Sequence, residues 1–471
     1  MYRLLLFLIL LFIIGGCIDQ PASERIANMP PQTYVWLMPD DTLRTTTSRQ
    51  HIHWWGDDPD GFVVGYEWSF DRTDWNWTER NDSVFLLSLQ QDDTTYSFYV
   101  RAIDNEGARD PNPASLSIPI KNTPPSVEFV DGTIVPKTTF TVATFAWSGT
   151  DPDGDDTIIR FLWALNDTTE WNELSGESSM LTVRAADGLR VNDNNVFYLK
   201  AQDNAGAYSK TAIMPNDPAP DNPERPPDTT AYWFVREPVG DLLIINDYDL
   251  DDRPDTMYTA IFDTLGGGIF RDHSIWDIRR GRTEMQRGEL VPPFVNPTVV
   301  ETMRLFGYVY WYSDNGPSYS VAQSAIPRYL ETGGRVLMSV TFPTGVFDPR
   351  EQGLVDFAPV DSIAERDIGF VRPRTRIVPT DQAEELGYPA LIRDPVGFGI
   401  GGVRNLIPQT GALPLYHVDH AENPLVAVKS PDNRMIFFGL RLHRMNGDPA
   451  DPDSRRLGKL FHKIFIEEFG N

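Results

Sequence analysis

The sequence predicts a multidomain chain: two all-β sandwiches followed by an α/β domain on an open, mostly parallel sheet. Three observations carry that expectation. From residue 33 to 215, short runs rich in Trp, Tyr, Val and Phe alternate with turn clusters, in the manner of sandwich strands. Much of that text occurs twice, displaced by about one sandwich length. Beyond residue 229, apolar runs alternate with amphipathic stretches of helical period.

At the start of the chain, Arg3 precedes an unbroken apolar run, Leu4 to Ile14, and then Gly15, Gly16 and Cys17, the only cysteine. The run is too short to span a bilayer and fits the core of a secretory signal. Ile14-Gly15-Gly16-Cys17 resembles the lipobox of bacterial lipoproteins. That resemblance implies a signal peptide over 1–17, a lipidated Cys17 and a membrane partner reached through acyl chains. Ile18, where inner-membrane lipoproteins carry aspartate, implies the outer membrane and an extracytoplasmic place in the cell envelope. A generic signal with an incidental cysteine is the competing reading. Residues 18–32 form a Pro-containing tether.

Hydrophobic content of 41% and aromatic content of 12% argue for packed cores rather than a disordered stalk. A net charge of -26 argues against nucleic acid as a partner, because phosphate contacts need a basic surface. With Cys17 acylated, no thiol remains for catalysis, a disulfide or metal binding.

The modules are expected over 33–121 and 122–215. Trp54-Trp55-Gly56-Asp57-Asp58-Pro59-Asp60-Gly61 is matched by Trp147-Ser148-Gly149-Thr150-Asp151-Pro152-Asp153-Gly154, and Phe98 to Gly107 by Phe197 to Gly206. Asn122-Thr123-Pro124-Pro125 reads as a stiff joint, since two prolines cannot continue a strand ladder. The tryptophan of one strand and the aromatic-Val/Leu-x-Ala-x-Asp pattern of another resemble tandem fibronectin type III or immunoglobulin-like modules. That resemblance implies a fold and no activity. Trp55 and Trp68 are expected in the core, with Trp75 and Trp77 exposed and available to a glycan.

In such sandwiches the two loops that carry the aspartates lie at one end. Asp57, Asp58 and Asp60 should therefore approach Asp104, and Asp151, Asp153 and Asp155 should approach Asp203. Two readings compete. Asp-Pro-Asp-Gly is good turn chemistry by itself. Converging carboxylates also suit Ca2+, which prefers oxygen ligands.

Residues 216–228 read as a Pro-rich linker, and 229–471 as the α/β domain. Expected strands cover Asp241 to Asn246, Phe306 to Tyr312, Arg335 to Val340, Leu425 to Val428 and Met435 to Leu440. Expected helices cover Asp255 to Leu265, Val321 to Thr332 and Asp453 to Phe469. The passage from the "WYSDNG" strand end through "ETGGRVLMSV" resembles the class I glutamine amidotransferase-like fold, close to flavodoxin in topology. Enzymes of that fold place a nucleophilic cysteine just after the strand written here RVLMSV. This chain has Ser339-Val340-Thr341 there, so amidotransferase chemistry is excluded by residue type.

A hydrolase acting on glycans or peptides is the alternative, with Ser339 or Thr341 as nucleophile and His417 or His420 as base. The run His417-Val418-Asp419-His420-Ala421-Glu422 also offers metal ligands, although flanking Pro414 and Pro424 argue against the helix that would align them. In open parallel sheets, ligands sit beyond the carboxyl ends of the strands. Here that crevice would be lined by Asp247, Asp249, Ser313, Asp314, Asn315 and Thr341, unless those residues cap helices. The functional expectation is a non-catalytic, lipid-anchored envelope protein. Its sandwiches act as a spacer presenting a degenerate α/β domain to an envelope protein or glycan, with Ca2+ as the candidate cofactor.

Overall fold

The computed structural model describes residues 27–37, 49–87, 93–130, 138–215, 232–248, 250, 252, 254–278, 297–314, 316–345 and 353–470. Cys17, Asp249, Asn315 and the 216–228 linker lie outside the described residues. The chain forms two compact units. One comprises 1–125 with 150–159 and 202–208; the other comprises 126–149, 160–201 and 209–471. No helix among the described residues is long and apolar enough to cross a membrane.

Among the described residues the first sandwich has seven strands: β1 (Gln32–Leu37), β2 (Arg49–Asp57), β3 (Val63–Ser69), β4 (Asn76–Thr78), β5 (Asp82–Leu86), β6 (Asp93–Asp104) and β7 (Ala114–Lys121). They form sheets β1-β2-β5 and β4-β3-β6-β7. Alternation along β2 sends Gln50, Ile52 and Trp54 inward, where Trp54 packs on Phe98 and Tyr66. Trp55, expected in the core, is 50% exposed and stacks on Tyr34. Trp54 is the core residue because it, and not Trp55, aligns with the buried Trp147 of the repeat. Trp68 packs against the core, Trp77 is exposed, and Trp75 lies half-buried under the Arg101 guanidinium.

The second sandwich contains β8 (Ser126–Phe129), β9 (Thr138–Thr139), β10 (Val142–Thr150), β11 (Ile158–Leu165), β12 (Asn172–Ser175), β13 (Met180–Arg184), β14 (Asp193–Asn194), β15 (Phe197–Asp203) and β16 (Ala212–Met214). Its main sheets, β13-β10-β8 and β12-β11-β15-β16, repeat the three-plus-four pattern. The segment after the linker was expected to open the α/β domain. Instead β17 (Phe234–Val235) pairs with β14 and β9. Buried Trp233 packs on Phe145 and donates its indole N–H to Thr139 Oγ1 at 2.9 Å. Phe140 enters the α/β core against Phe306, and the Thr144 amide donates to Thr298 Oγ1. The second sandwich is thus packed onto the α/β domain, not spaced from it.

That domain holds β18 (Leu242–Asp247), α1 (Pro254–Thr264), β19 (Ser274–Asp277), α2 (Pro297–Met303), β20 (Tyr308–Ser313), α3 (Tyr319–Glu331) and β21 (Arg335–Ser339). β22 (Val360–Ile363), β23 (Arg376–Pro379), α4 (Asp381–Glu385), β24 (Leu391–Ile392) and β25 (Leu406–Pro408) follow. The chain ends with β26 (Leu413–Val418), β27 (Leu425–Lys429), β28 (Met435–Phe438) and α5 (Leu457–His462). Nine strands form one sheet, β19-β18-β20-β21-β28-β27-β26-β23-β24. The first five pair in parallel; the rest pair antiparallel. The expected mostly parallel sheet is therefore mixed, because the stretch between β21 and β28 supplies an antiparallel extension. Residues alternate between two cores: Leu242, Ile244, Tyr310 and Leu337 face α1 and α5, while Leu243, Ile245, Trp311 and Met338 face α2 and α3. The closing helix is shorter than its apolar pattern predicts: a 3-10 turn at Pro452–Ser454, then α5, then a π-helical end at Lys463–Glu468.

Candidate functional site

Asp58 lies near Asp60 and Asp104 at one sandwich pole, and Asp151 near Asp153 and Asp203 at the other. In the second sandwich, Asp151, Asp153 and Asp203 are 6%, 1% and 0% exposed. Asp203, at the end of β15, accepts the Ala205 and Ala207 amides at 3.0 and 2.8 Å and the Asn122 side-chain amide at 2.6 Å. Asp153 accepts the Thr123 amide at 2.9 Å, and one oxygen of Asp151 accepts the Asp153 amide at 2.8 Å. Asp155 is exposed and caps the Asp151 amide at 3.0 Å.

The first sandwich repeats the arrangement. Asp104 accepts the Glu106 and Ala108 amides and Asn28 Nδ2 at 2.9, 2.8 and 2.7 Å, and Asp60 accepts the Met29 amide at 3.1 Å. Asp58 adjoins Asp60, while Asp57 is exposed at the end of β2.

Turn chemistry accounts for the bonds to nearby amides and leaves other atoms unexplained. Asp58 Oδ2, Asp151 Oδ2, Asn122 Oδ1 and Asn204 Oδ1 are shielded from solvent and have no hydrogen-bond partner among the described residues. Each is an acceptor, and a buried acceptor left unmade costs about 1–3 kcal/mol. Burial, then the charges of Asp153 and Asp203, push the Asp151 carboxyl above its ordinary range. Burial and the charges of Asp60 and Asp104 do the same to Asp58. Against the burial that would raise it, hydrogen bonds from Asn28 and the Ala108 and Glu106 amides hold Asp104 low. Oxygen-only donors, crowded negative charge and orphaned acceptors fit Ca2+. Asn28 and Asn122 escaped the reading of the sequence. The signal was present in Asn28-Met29-Pro30-Pro31, which has the same pattern as Asn122-Thr123-Pro124-Pro125.

At the carboxyl ends of the parallel strands, the expected crevice residues gather as buried joints. Asp247 is fully buried and accepts the Ser318 amide at 2.7 Å, the Ser318 hydroxyl at 2.9 Å and the Trp311 indole at 3.2 Å. Ser313 donates its hydroxyl to the Asp247 carbonyl at 2.6 Å. Asp314 accepts the Gly316 amide, and Thr341 Oγ1 accepts Arg441 Nε at 3.2 Å. Asp247 thus anchors the start of α3, the helix that follows the neighbouring strand β20.

The Ser339–His417 pairing of the catalytic alternative is not assembled. The Ser339 hydroxyl is buried against Tyr310 Oη at 3.0 Å. β21 and β26, which carry Ser339 and His417, are three strand spacings apart, about 14 Å. His417 Nδ1 meets the Asn423 carbonyl, and exposed His420 accepts the Glu422 amide. The pairing that does form was missed. His443, just past β28, meets Asp252 at 3.0 Å, and Tyr248 donates to the same carboxylate at 2.5 Å. Burial, with Arg444 and Arg441 nearby, lowers the His443 imidazole despite Asp252. Carboxyl-end logic applied to β28 as well would have singled out His443. A groove of about 900 Å3 runs between α1 and α5, edged by Arg455, Lys459 and Lys463.

No family matches this chain, and no curated protein does. Several solved structures resemble its sandwiches. The fibronectin(III)-like modules of Clostridium thermocellum CbhA are 13% identical, covering 43% of this chain and 95% of theirs, with a TM-score of 0.18. The PKD1 domain of Vibrio cholerae metalloprotease PrtV is 16% identical, covering 20% and 100%, with a TM-score of 0.16. A two-domain fibronectin type III segment of chicken tenascin is 12% identical, covering 39% and 97%, with a TM-score of 0.20. Nothing further rests on these likenesses; the sandwich assignment stands on the strand pairing.

Proposed function

We propose that this chain is a non-catalytic, lipid-anchored envelope protein, fixed through Cys17, whose tandem sandwiches are stiffened by Ca2+ at the acidic pole of each module. The observation that carries the reading is the repeated clasp. Asn28 with the Met29 amide, and Asn122 with the Thr123 amide, tie the segment entering each module to aspartates on two different loops. A cation shared by the carboxylates of each pole, with the orphaned oxygens of Asn122, Asn204 and Asp151 at the second and of Asp58 at the first, locks the entering segment to the module it enters. The first unit supports the same picture, since Ala205, from the second module's loop, packs against the first module's core.

On this reading the α/β domain is a degenerate relative of the amidotransferase-like fold that displays a surface to an envelope protein or glycan. Its parallel strands run in the chain order 2-1-3-4-5, the flavodoxin-like arrangement. Limited proteolysis tests the proposal. Cleavage near residues 121–125 should be slow in Ca2+ and should accelerate in chelator. Equal rates in both conditions would remove calcium from the account.

A further inference from the structure

On the outer face of the first sandwich, away from the acidic loops, three side chains of a different chemistry meet. His51 and His53 alternate with buried Ile52 on β2, so both imidazoles leave the same face. β5 pairs with this strand in a register that sets Asp82 opposite His53 and Val84 opposite His51. His51 Nε2 lies 2.7 Å from Asp82 Oδ2, and the two imidazole centroids are 4.2 Å apart. The ligating atoms of the three residues all fall within 4.8 Å of one another. Trp36, on the neighbouring strand, stacks on the His53 ring at 5.9 Å and fixes its plane. His53 Nε2 is shielded from solvent and has no hydrogen-bond partner among the described residues.

We infer that His51, His53 and Asp82 form a binding site for a divalent transition-metal ion of the Zn2+ class. Two imidazole nitrogens and one carboxylate oxygen are the donors such ions take, whereas Ca2+ and Mg2+ prefer all-oxygen sets. A hydrogen-bonded His51–Asp82 pair alone leaves His53 Nε2 without a role; a metal ion gives it one. Binding replaces the His51–Asp82 hydrogen bond, with the His51 proton on Nδ1 and the Nε2 lone pair on the metal. Arg80, 3.4 Å from the other Asp82 oxygen, is a highly exposed side chain that can turn away. Three protein ligands leave a coordination position open to water or to a donor from a partner.

The test is calorimetric titration of the purified full chain with Zn2+, in excess Ca2+ so that the acidic poles are filled. One saturable site per chain is expected. His53→Ala and Asp82→Asn should each weaken it at least tenfold, while the His417→Ala/His420→Ala double variant should leave it unchanged. Val84→His places a third imidazole opposite His51 and should tighten binding at least tenfold, a gain that misfolding cannot imitate. Absence of saturable binding overturns the inference, as does equal affinity in wild type and in a His53→Ala variant that retains its melting transition. Binding lost only in the His417/His420 variant overturns it as well.

Discussion

Asp151→Asn separates a cation site from a turn more cleanly than any other substitution. The side chain is buried beside Asp153 and Asp203, and burial together with those charges makes its ionisation unfavourable. Asparagine keeps the shape and the oxygen that accepts the Asp153 amide, and it removes one negative charge. In chelator, the variant should therefore melt at the wild-type temperature or above it. In calcium the order reverses. A site held at a hundredfold excess over its dissociation constant contributes about 2.7 kcal/mol. At about 4–8 °C per kcal/mol for a domain of 60–100 residues, each pole should raise the melting temperature of its module by about 11–22 °C. Asp151→Asn should abolish the share of the second pole and leave the first intact, so the calcium-induced shift falls by roughly half. Differential scanning calorimetry with and without chelator reads both effects. A full calcium shift in the variant, or a variant that melts well below wild type in chelator, would show that Asp151 holds no cation.

Other perturbations reach the remaining parts of the chain. Burial lowers the His443 imidazole in the folded chain, so the unfolded chain takes up this proton first and stability falls as pH drops through the ordinary histidine range near 6.5, by at most about 1.4 kcal/mol per pH unit. Denaturant midpoints should show that loss, and His443→Gln should flatten it. Asp247→Ala strands the Ser318 amide and the Trp311 indole in a buried site and should cost about 2–5 kcal/mol; a stable variant that loses a binding partner would restore the crevice as a ligand site. Cys17→Ser should leave an unprocessed precursor that takes up no labelled palmitate, and undiminished labelling would exclude the anchor.

Much of the architecture was legible because periodicity reports burial. The alternation in β2 and β6, the glycine stop at Gly333, whose φ is 92, and the turn at Pro431-Asp432-Asn433 all follow local rules that no distant contact overrides. The errors arose where tertiary context decides. Nothing local distinguishes Trp54 from Trp55; the repeat does, by aligning Trp54 with Trp147. Phe234 and Val235 follow a Pro-rich linker and look like the start of a new domain, yet non-local pairing with β9 and β14 returns them to the second sandwich. The same limit applies at the sites. Loop position brings Asp58 near Asp60 and Asp104, and Asp151 near Asp153 and Asp203, but the Asn28 and Asn122 clasps depend on a segment crossing the pole. His51, His53 and Asp82 became a cluster only once the register between β2 and β5 was known.

On the proposed reading, each sandwich pole holds a calcium ion. Equilibrium titration of the full chain with Ca2+, by calorimetry and by metal analysis after gel filtration, measures it directly. Two ions per chain are expected, reduced to one in Asp151→Asn and to none when Asp58→Asn is added. A chain that binds no calcium, or binds the same number after both substitutions, would contradict that reading.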